Sequence, residues 1–384
     1  MKFIFFGNDW LADNRTSSHH IAKRLATRYP VLYVEVPGLK APGASTRDLG
    51  KIIEKLRMTF QPPQLVAPHF WRMTLPQIPF RRNASLRAIN RWLSRLLMRR
   101  AMRNFDFRHA IAWFHLPHPG FLAKQLDEQL TVFYCIDDYS NLPDVDSNAI
   151  QQMDDKLTAA ADIVFAANQS LMDTHRIRDR NVFLSPHGVD AEMFTPSTTS
   201  GAKIPEEANR LQRPVIGWWG VIDSRVDVRL LKELALARPD WTILLIGRVA
   251  TDVSVLRRLP NIVFAGPKPY AELPAWANTI DVCILPYSQS PWLCHASPFK
   301  LREYLSAGKP VVSTLFPEAR IFASLVHVAA DGPRFVHAIE ESLAADSAEL
   351  ATLRRKAVGA DTWDATVFHA LEKVEAEIQS FPRS

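Results

Sequence analysis

The sequence predicts an α/β protein built as two successive units, each with a parallel sheet covered by helices on both faces. Three observations predict it. Short apolar runs alternate with helical patterns along the chain, as in strand–helix–strand repeats. The runs are the kind that parallel strands covered on both faces present. Residues 195–214, TPSTTSGAKIPEEANRLQRP, lose periodicity and gather Pro, Ser, Thr and Gly, so they read as a linker between two series.

In chain order, Lys2–Phe6 (KFIFF) is the first expected strand, His20–Arg28 a helix and Val31–Val36 (VLYVEV) the second strand. A basic helix falls within residues 81–108. Ala110–Phe114 (AIAWF), a loop and helix over Leu116–Gln129, Thr131–Ile136 (TVFYCI), Ile163–Ala166 and Val182–Leu184 complete the first series. The second runs through Val215–Trp218, Thr242–Ile246, Ile262–Phe264, Val282–Leu285 and Val311–Ser313. Its helices are expected at Val228–Ala237, Leu273–Ala277 and Phe299–Ala307, with a last helical stretch over Ala365–Ile378. Two such units offer a cleft at the carboxyl ends of their strands, a usual place for small-molecule sites.

The 384 residues are 47% hydrophobic and 22% charged, which excludes a disordered chain. No run of 18 apolar residues occurs, so no transmembrane helix is expected. The opening MKFIFF lacks the long apolar region and cleavage site of a signal peptide. Cys135, Cys283 and Cys294 are odd in number and widely spaced, which argues against a disulfide framework and fits a cytoplasmic protein. The net charge of +6 is a surplus of the N-terminal half. Residues 81–108 alone hold nine arginines against one acid, Asp106.

On a helix, Leu86, Ile89, Trp92 (or Leu93), Leu96 and Ala101 form an apolar stripe, and Arg87, Arg91, Arg95 and Arg99 a second one. A basic amphipathic helix with a tryptophan suits the anionic headgroups of an inner-membrane surface. The alternative is a solvated helix face packed on a core. No nucleic-acid motif accompanies the patch, so no nucleic-acid partner is expected.

The most informative segment is SPFKLREYLSAGKPVVST, Ser297–Thr314. Ser297 suits an N-cap, Pro298 the first helical position and Gly308 the left-handed residue past the helix end. A helix start offers free N–H groups to phosphate. Lys300 in the first turn opposes the helix dipole unless an anion binds there; otherwise it points to solvent. Glu303, one turn on, can accept hydrogen bonds from two vicinal hydroxyls, or be an ordinary solvated glutamate. Adjacent Asp137 and Asp138 point apart on a strand, and His115 with His118 is broken by prolines, so no metal is assigned. The loop GNDWLADNRTSSHH lacks GxGxxG. Its Asp9, Trp10, Arg15, His19 and His20 either meet an acceptor or belong to a capped turn.

That segment resembles the donor-binding helix and following strand of retaining GT-B glycosyltransferases. SPHGVDAEMFTP (Ser185–Pro196) is similar to the family's N-G-V-D-x-x-x-F-x-P segment, with His187 in place of Asn. IGWWGVIDSRVDVRLL looks like the first strand and phosphate-facing loop of its C-terminal domain. YCIDDYS, RPDWTILLIG, NIVFAGPKPYAELPAWANTIDVCILPY and DTWDATV are similar to the bacterial cell-surface polysaccharide branch. The resemblance implies two Rossmann-like domains with parallel sheets facing a central cleft. Residues 1–194 would bind acceptor, 195–214 link, and 215–364 bind the nucleotide sugar. Residues 365–384 would form a C-terminal helix, for which a return to the N-terminal domain is one option.

The resemblance further assigns Glu303 to the ribose and Arg225 to the diphosphate, with Lys300 as a second cation. Gly220, Ser297, Phe299 and Leu301 would line the donor, and His115 would lie near the reacting sugar. The alternative for Arg225 is an ion pair with Asp223 or Asp227. His295 stands where many members carry a second glutamate, so the donor sugar's contacts must differ. The implied reaction moves a sugar from a nucleoside diphosphate to a glycan acceptor, lipid-linked at the inner membrane face, with retention and without a cofactor. A nucleotide-sugar epimerase of the same fold and a non-catalytic partner subunit are the alternatives.

Overall fold

The structure is a computed structural model that describes residues 1–12, 15–36, 57–76, 84–143, 145–176, 181–195 and 205–380. The chain divides into two compact units. One comprises Met1–Ala12, Thr16–Pro186 and Thr366–Ser384, and the other chiefly His187–Ala365. Residues 187–194, grouped with the N-terminal domain on sequence, thus belong to the second unit.

In the first unit the described elements are β1 (Phe3–Gly7), α1 (Ser17–Leu25), β2 (Val31–Glu35), β3 (Gln64–Ala67), β4 (Phe70–Thr74) and α2 (Ala84–Asn104). There follow β5 (Ile111–Phe114), β6 (Leu130–Cys135), α3 (Ser147–Ala160), β7 (Ile163–Ala166), α4 (Gln169–His175) and β8 (Asn181–Leu184). The strands form one sheet in the order β3-β4-β2-β1-β5-β6-β7-β8. All pairs are parallel except β3 with β4, an antiparallel hairpin that departs from the all-parallel expectation. All four residues of β3 are exposed, so its period-2 signal is weak.

The apolar runs are buried on both faces. Ile4, Phe6, Leu32, Val34, Ala112, Phe114 and Phe133 fill one side. On the other, Tyr33, Phe5 and Trp113 stack across the adjacent strands β2, β1 and β5, and Trp113 also meets Phe165 of β7, with centroids 5.6–5.9 Å apart. Such offset aromatic contacts add to the burial term and fix the register.

Two expectations need correction. Residues 116–129 form a 3₁₀ turn, His118–Leu122, rather than a longer helix, because Pro117 and Pro119 withhold backbone donors. The basic helix exists, but of the predicted stripe only Ala101 is buried. Ser94, Met98, Ala101 and Met102 are buried, whereas Ile89, Trp92 and Leu96 are exposed.

The second unit holds β9 (Val215–Trp219), α5 (Val228–Ala237), β10 (Thr242–Ile246), β11 (Ile262–Gly266), α6 (Leu273–Ala277) and β12 (Val282–Leu285). It continues with α7 (Lys300–Ser306), β13 (Val311–Ser313), α8 (Pro317–Ile321), β14 (Val326–Val328), α9 (Gly332–Ala345) and α10 (Ala348–Val358). The parallel sheet runs β11-β10-β9-β12-β13-β14. Of the expected linker, 196–204 lie outside the described residues, and Glu206–Arg210 form a 3₁₀ turn. The last helix, α11 (Trp363–Ser380), starts in the second unit and continues in the first from Thr366.

Candidate active site

The second unit gathers most of the residues singled out on sequence. Central strand β9 ends in Trp218-Trp219 and is followed by Gly220, and α7 brings Lys300 and Glu303 to the same place. Gly220 has φ +140, which favours glycine, and a Cβ there would collide with Lys300 Cε. The backbone thus lies directly under the lysine.

Lys300 is half-buried, with Nζ 5.2 Å from the Trp218 ring centroid. Among the described residues no carboxylate lies within ion-pair distance of it. Burial, helped by the Arg225 charge, pushes its pKa down to about 8. The cation thus stands over a glycine backbone, with the charges of Glu303 and Asp223 acting against that fall.

Glu303 is 2% exposed. Its Oε2 accepts a hydrogen bond from Trp219 Nε1 at 2.8 Å, while buried Oε1 has no hydrogen bond of ordinary geometry among the described residues and the Tyr270 hydroxyl lies beside the carboxylate. Burial pushes its pKa up to about 7; the Trp219 bond and the Lys300 charge act the other way. Trp219 is itself pinned: its ring meets Tyr304 edge-on at 4.2 Å, and its backbone N–H donates to the Tyr304 hydroxyl at 3.2 Å.

Arg225 follows in the loop after β9. Its alternative role is realised, since Nε and Nη2 grip both oxygens of Asp223 at 3.0 and 2.7 Å. The guanidinium also lies 5.0 Å from the Trp292 ring. Burial would raise the Asp223 pKa, but Arg225 outweighs it and holds that carboxyl below its usual range. Asp227 is used elsewhere, as the cap of α5.

Ser297 does not cap the helix. Phe299 occupies the cap in helical conformation, and the buried Ser297 hydroxyl has no hydrogen bond among the described residues. Leu301 is wholly buried, and its N–H donates to Pro298 O at 3.0 Å. His295 ends a 3₁₀ turn, Pro291–His295, and is half-buried. Gly308 has φ +74, as its position requires.

Two distant segments meet here. Val189 donates to Asp361 O at 2.8 Å, and a Cβ on Gly188 would strike the Trp363 backbone. His187 lies against Phe299 and Trp363, with centroids 6.0 and 5.8 Å away.

His115 belongs to the first unit, fully buried after β5. Trp113 Nε1 donates to its Nδ1 at 3.2 Å, which leaves a neutral ring its proton on Nε2. The polar residues after β1 largely serve the capped turn. Thr16 N donates to His19 Nδ1 at 3.1 Å, His19 Nε2 meets Asp9 O at 3.0 Å, and Trp10 N donates to Glu35.

Three groups went unread on sequence. Trp219 holds Glu303 across 84 residues, and only its place before Gly220 hinted at a role. Tyr270 lies beside Glu303 and Asp190, and burial plus both carboxylates push its phenol well above the usual range. In the first unit Cys135, Asp154 and His175 cluster, buried, with ligand atoms within 4.8 Å of one another. His175 spends both ring nitrogens, on Leu171 O at 2.8 Å and Asp154 at 2.6 Å. This is the pattern of a buried imidazolium–carboxylate pair.

Comparison with known proteins shows what the second unit resembles. Residues 213–347 match the family described as glycosyl transferases group 1. That stretch of the second unit is thus similar to a glycosyltransferase domain. It is 36% identical over 174 residues to a Bacillus subtilis protein named "Putative teichuronic acid biosynthesis glycosyltransferase TuaH". That match covers 44% of this chain and 42% of the relative, so the chain spans under half of the relative's length.

Solved structures extend the likeness to the whole fold. Sucrose-phosphate synthase of Thermosynechococcus elongatus superposes with TM-score 0.72, 14% identity and coverage of 99% and 100% of the two chains. Anabaena Alr3699/HepE in complex with UDP gives 0.68, 14%, 98% and 100%. An E. coli trehalose-6-phosphate protein bound with UDP-2-fluoro glucose gives 0.68, 12%, 100% and 100%. At these identities the likeness shows the fold, which is GT-B.

Proposed function

We propose that the chain transfers a glycosyl group from a nucleoside-diphosphate sugar to a hydroxyl of a glycan acceptor in cell-surface polysaccharide synthesis. The observation that carries the reading is Glu303: a buried carboxylate with one oxygen held by Trp219 and the other short of a hydrogen bond of ordinary geometry beside Tyr270, one turn from Lys300 above Gly220. Vicinal ribose hydroxyls would satisfy that oxygen, and a diphosphate would satisfy the lysine. The UDP in the Anabaena structure and the TuaH likeness support the same reading.

In the reaction, negative charge gathers on the departing diphosphate as the glycosidic bond lengthens. Lys300 and Arg225 stabilise it electrostatically, an effect strengthened where water is excluded. The acceptor hydroxyl attacks from the face the diphosphate leaves, which retains configuration, and a leaving phosphate oxygen takes its proton. Leu301, Phe299 and Ser297 shape the donor pocket, and His295 takes the place of the family's second glutamate. His115 is included at the reacting sugar on the resemblance alone. The acceptor is carried on a lipid at the inner membrane face, where the protein works peripherally.

A thermal-shift screen with UDP-, TDP-, GDP- and CMP-sugars tests the donor. One nucleotide class should stabilise the chain by about 2–3 kcal/mol at a hundredfold excess over Kd. Glu303→Gln should weaken that donor about tenfold or more, the usual scale for a lost charged hydrogen bond. A chain that no nucleotide stabilises would overturn the reading.

A further inference from the structure

Helix α2 is an unusual surface element. Its 21 residues hold six arginines and no acid. At 100° per residue its buried side centres on Ser94, Met98, Ala101 and Met102, which are at most 4% exposed. The opposite side carries Trp92, 63% exposed, and Ile89 and Leu96, each 47% exposed. These three stand at i, i+3 and i+7 and form one apolar ridge. Arg99, Arg100 and Arg103 are exposed and continue that face toward the helix C-terminus. Among the described residues none of them has an ion pair, and Arg99 reaches only the carbonyl of Gln125 at 3.4 Å.

We propose that this outward face of α2 is a docking surface for a bilayer of anionic phospholipid, with Ile89, Trp92 and Leu96 entering the headgroup boundary and the arginines holding the phosphates. A helix that buries one side in the protein and shows apolar residues flanked by arginine on the other matches an interfacial helix. Tryptophan is suited to that depth, because its ring is apolar and its N–H can stay hydrated. Charge complementarity selects the occupant. A second copy meeting the same face would set arginine against arginine, and a nucleic acid would gain little from the ridge. The inference rests on the lipid-linked acceptor reading for its purpose, while its evidence lies in α2 alone.

The test is co-sedimentation of the full chain with vesicles, without donor or acceptor. The wild type should bind 3:1 phosphatidylcholine–phosphatidylglycerol vesicles at least tenfold more tightly than pure phosphatidylcholine, with binding weakened at 0.5 M salt. Ile89→Ser/Trp92→Ser/Leu96→Ser should lose about tenfold on anionic vesicles with an unchanged melting temperature, as all three are exposed. Arg99→Gln/Arg100→Gln/Arg103→Gln should lose a similar factor and most of the salt dependence. Equal binding of wild type and both variants would overturn the proposal, as would a concentration-dependent dimer abolished by the serine variant. The readout is independent of transfer. Vesicle binding by a chain without donor affinity refutes the proposed function alone, and transfer without vesicle binding refutes the docking surface alone.

Discussion

Trp219 and Glu303 show how one buried hydrogen bond can set the working range of a site. A carboxylate out of water prefers to keep its proton, and burial lifts Glu303 to about 7. The indole N–H favours the charged form, since a carboxylate oxygen is a stronger acceptor than that of a neutral carboxyl. Lys300 is displaced in the opposite sense, to about 8. On the proposed donor role, below 7 the carboxyl is protonated and a poorer acceptor for ribose hydroxyls, and above 8 the ammonium loses the charge that would meet phosphate. The predicted kcat/KM for donor therefore rises with pH through about 7 and falls beyond about 8, a narrow bell set by the free protein. Trp219→Phe keeps the ring against Tyr304 but removes the donor. Its acid limb should move to higher pH, with donor KM raised more than kcat is lowered. Matching profiles for the two proteins would leave Trp219 only a packing role.

The pair of Asp154 in α3 and His175 in α4 ties two elements together beneath β6. Burial opposes charge on the imidazole, but Cys135 and Asp154 beside it overcome that and lift its pKa to about 11. Because the folded value lies above the unfolded 6.5, the associated stability is fully present below pH 6.5 and is lost as pH rises through 11. Asp154→Asn should cost about 3–5 kcal/mol, the usual penalty for stranding one member of a buried pair. Urea unfolding at pH 6 and pH 9.5 checks the sign: the gap between wild type and variant should be wider at pH 6. At this scale the limits of the sequence become clear. β10, β12 and β13 coincide with their expected ranges because their side chains are buried on both faces and leave no ambiguous edge. The hairpin β3–β4 escaped, since an exposed edge strand carries no such run. In α2 the apolar spacing was readable but its direction was not. Period alone cannot distinguish a stripe facing the core from one facing outward, and methionines with a serine took the inner side. Glu303 and Lys300 drew notice because a helix start, Gly308 and a strand lie close together in one motif, and Gly220 because it follows β9 in another. Trp219's bond was not legible, because its partner arrives from a different element.

The chain does not divide into two consecutive halves. Its last helix begins in the second unit, where Trp363 is fully buried, and continues in the first. Along that continuation Val367, Ala370, Leu371 and Val374 are at most 7% exposed. Thr366 donates to Pro186 O at 3.2 Å, Asn181 at the start of β8 donates to Glu377 at 2.7 Å, and Lys373 lies 5.3 Å from the Phe183 ring. The C-terminal helix thus packs in the first unit and touches β8, the strand at the far edge of the eight-stranded sheet, where an open edge would invite pairing with another chain. A chain ending at Ala365 should therefore lose stability in the unit most distant from it in sequence. Removing three large apolar side chains and an alanine from that contact costs on the order of 5 kcal/mol by burial alone. The expected result is an aggregation-prone protein in which backbone amides of β7 and β8 exchange rapidly with deuterium while those of β9 to β13 stay protected. Uniform loss of protection across both sheets, or none in either, would contradict this division of labour along α11.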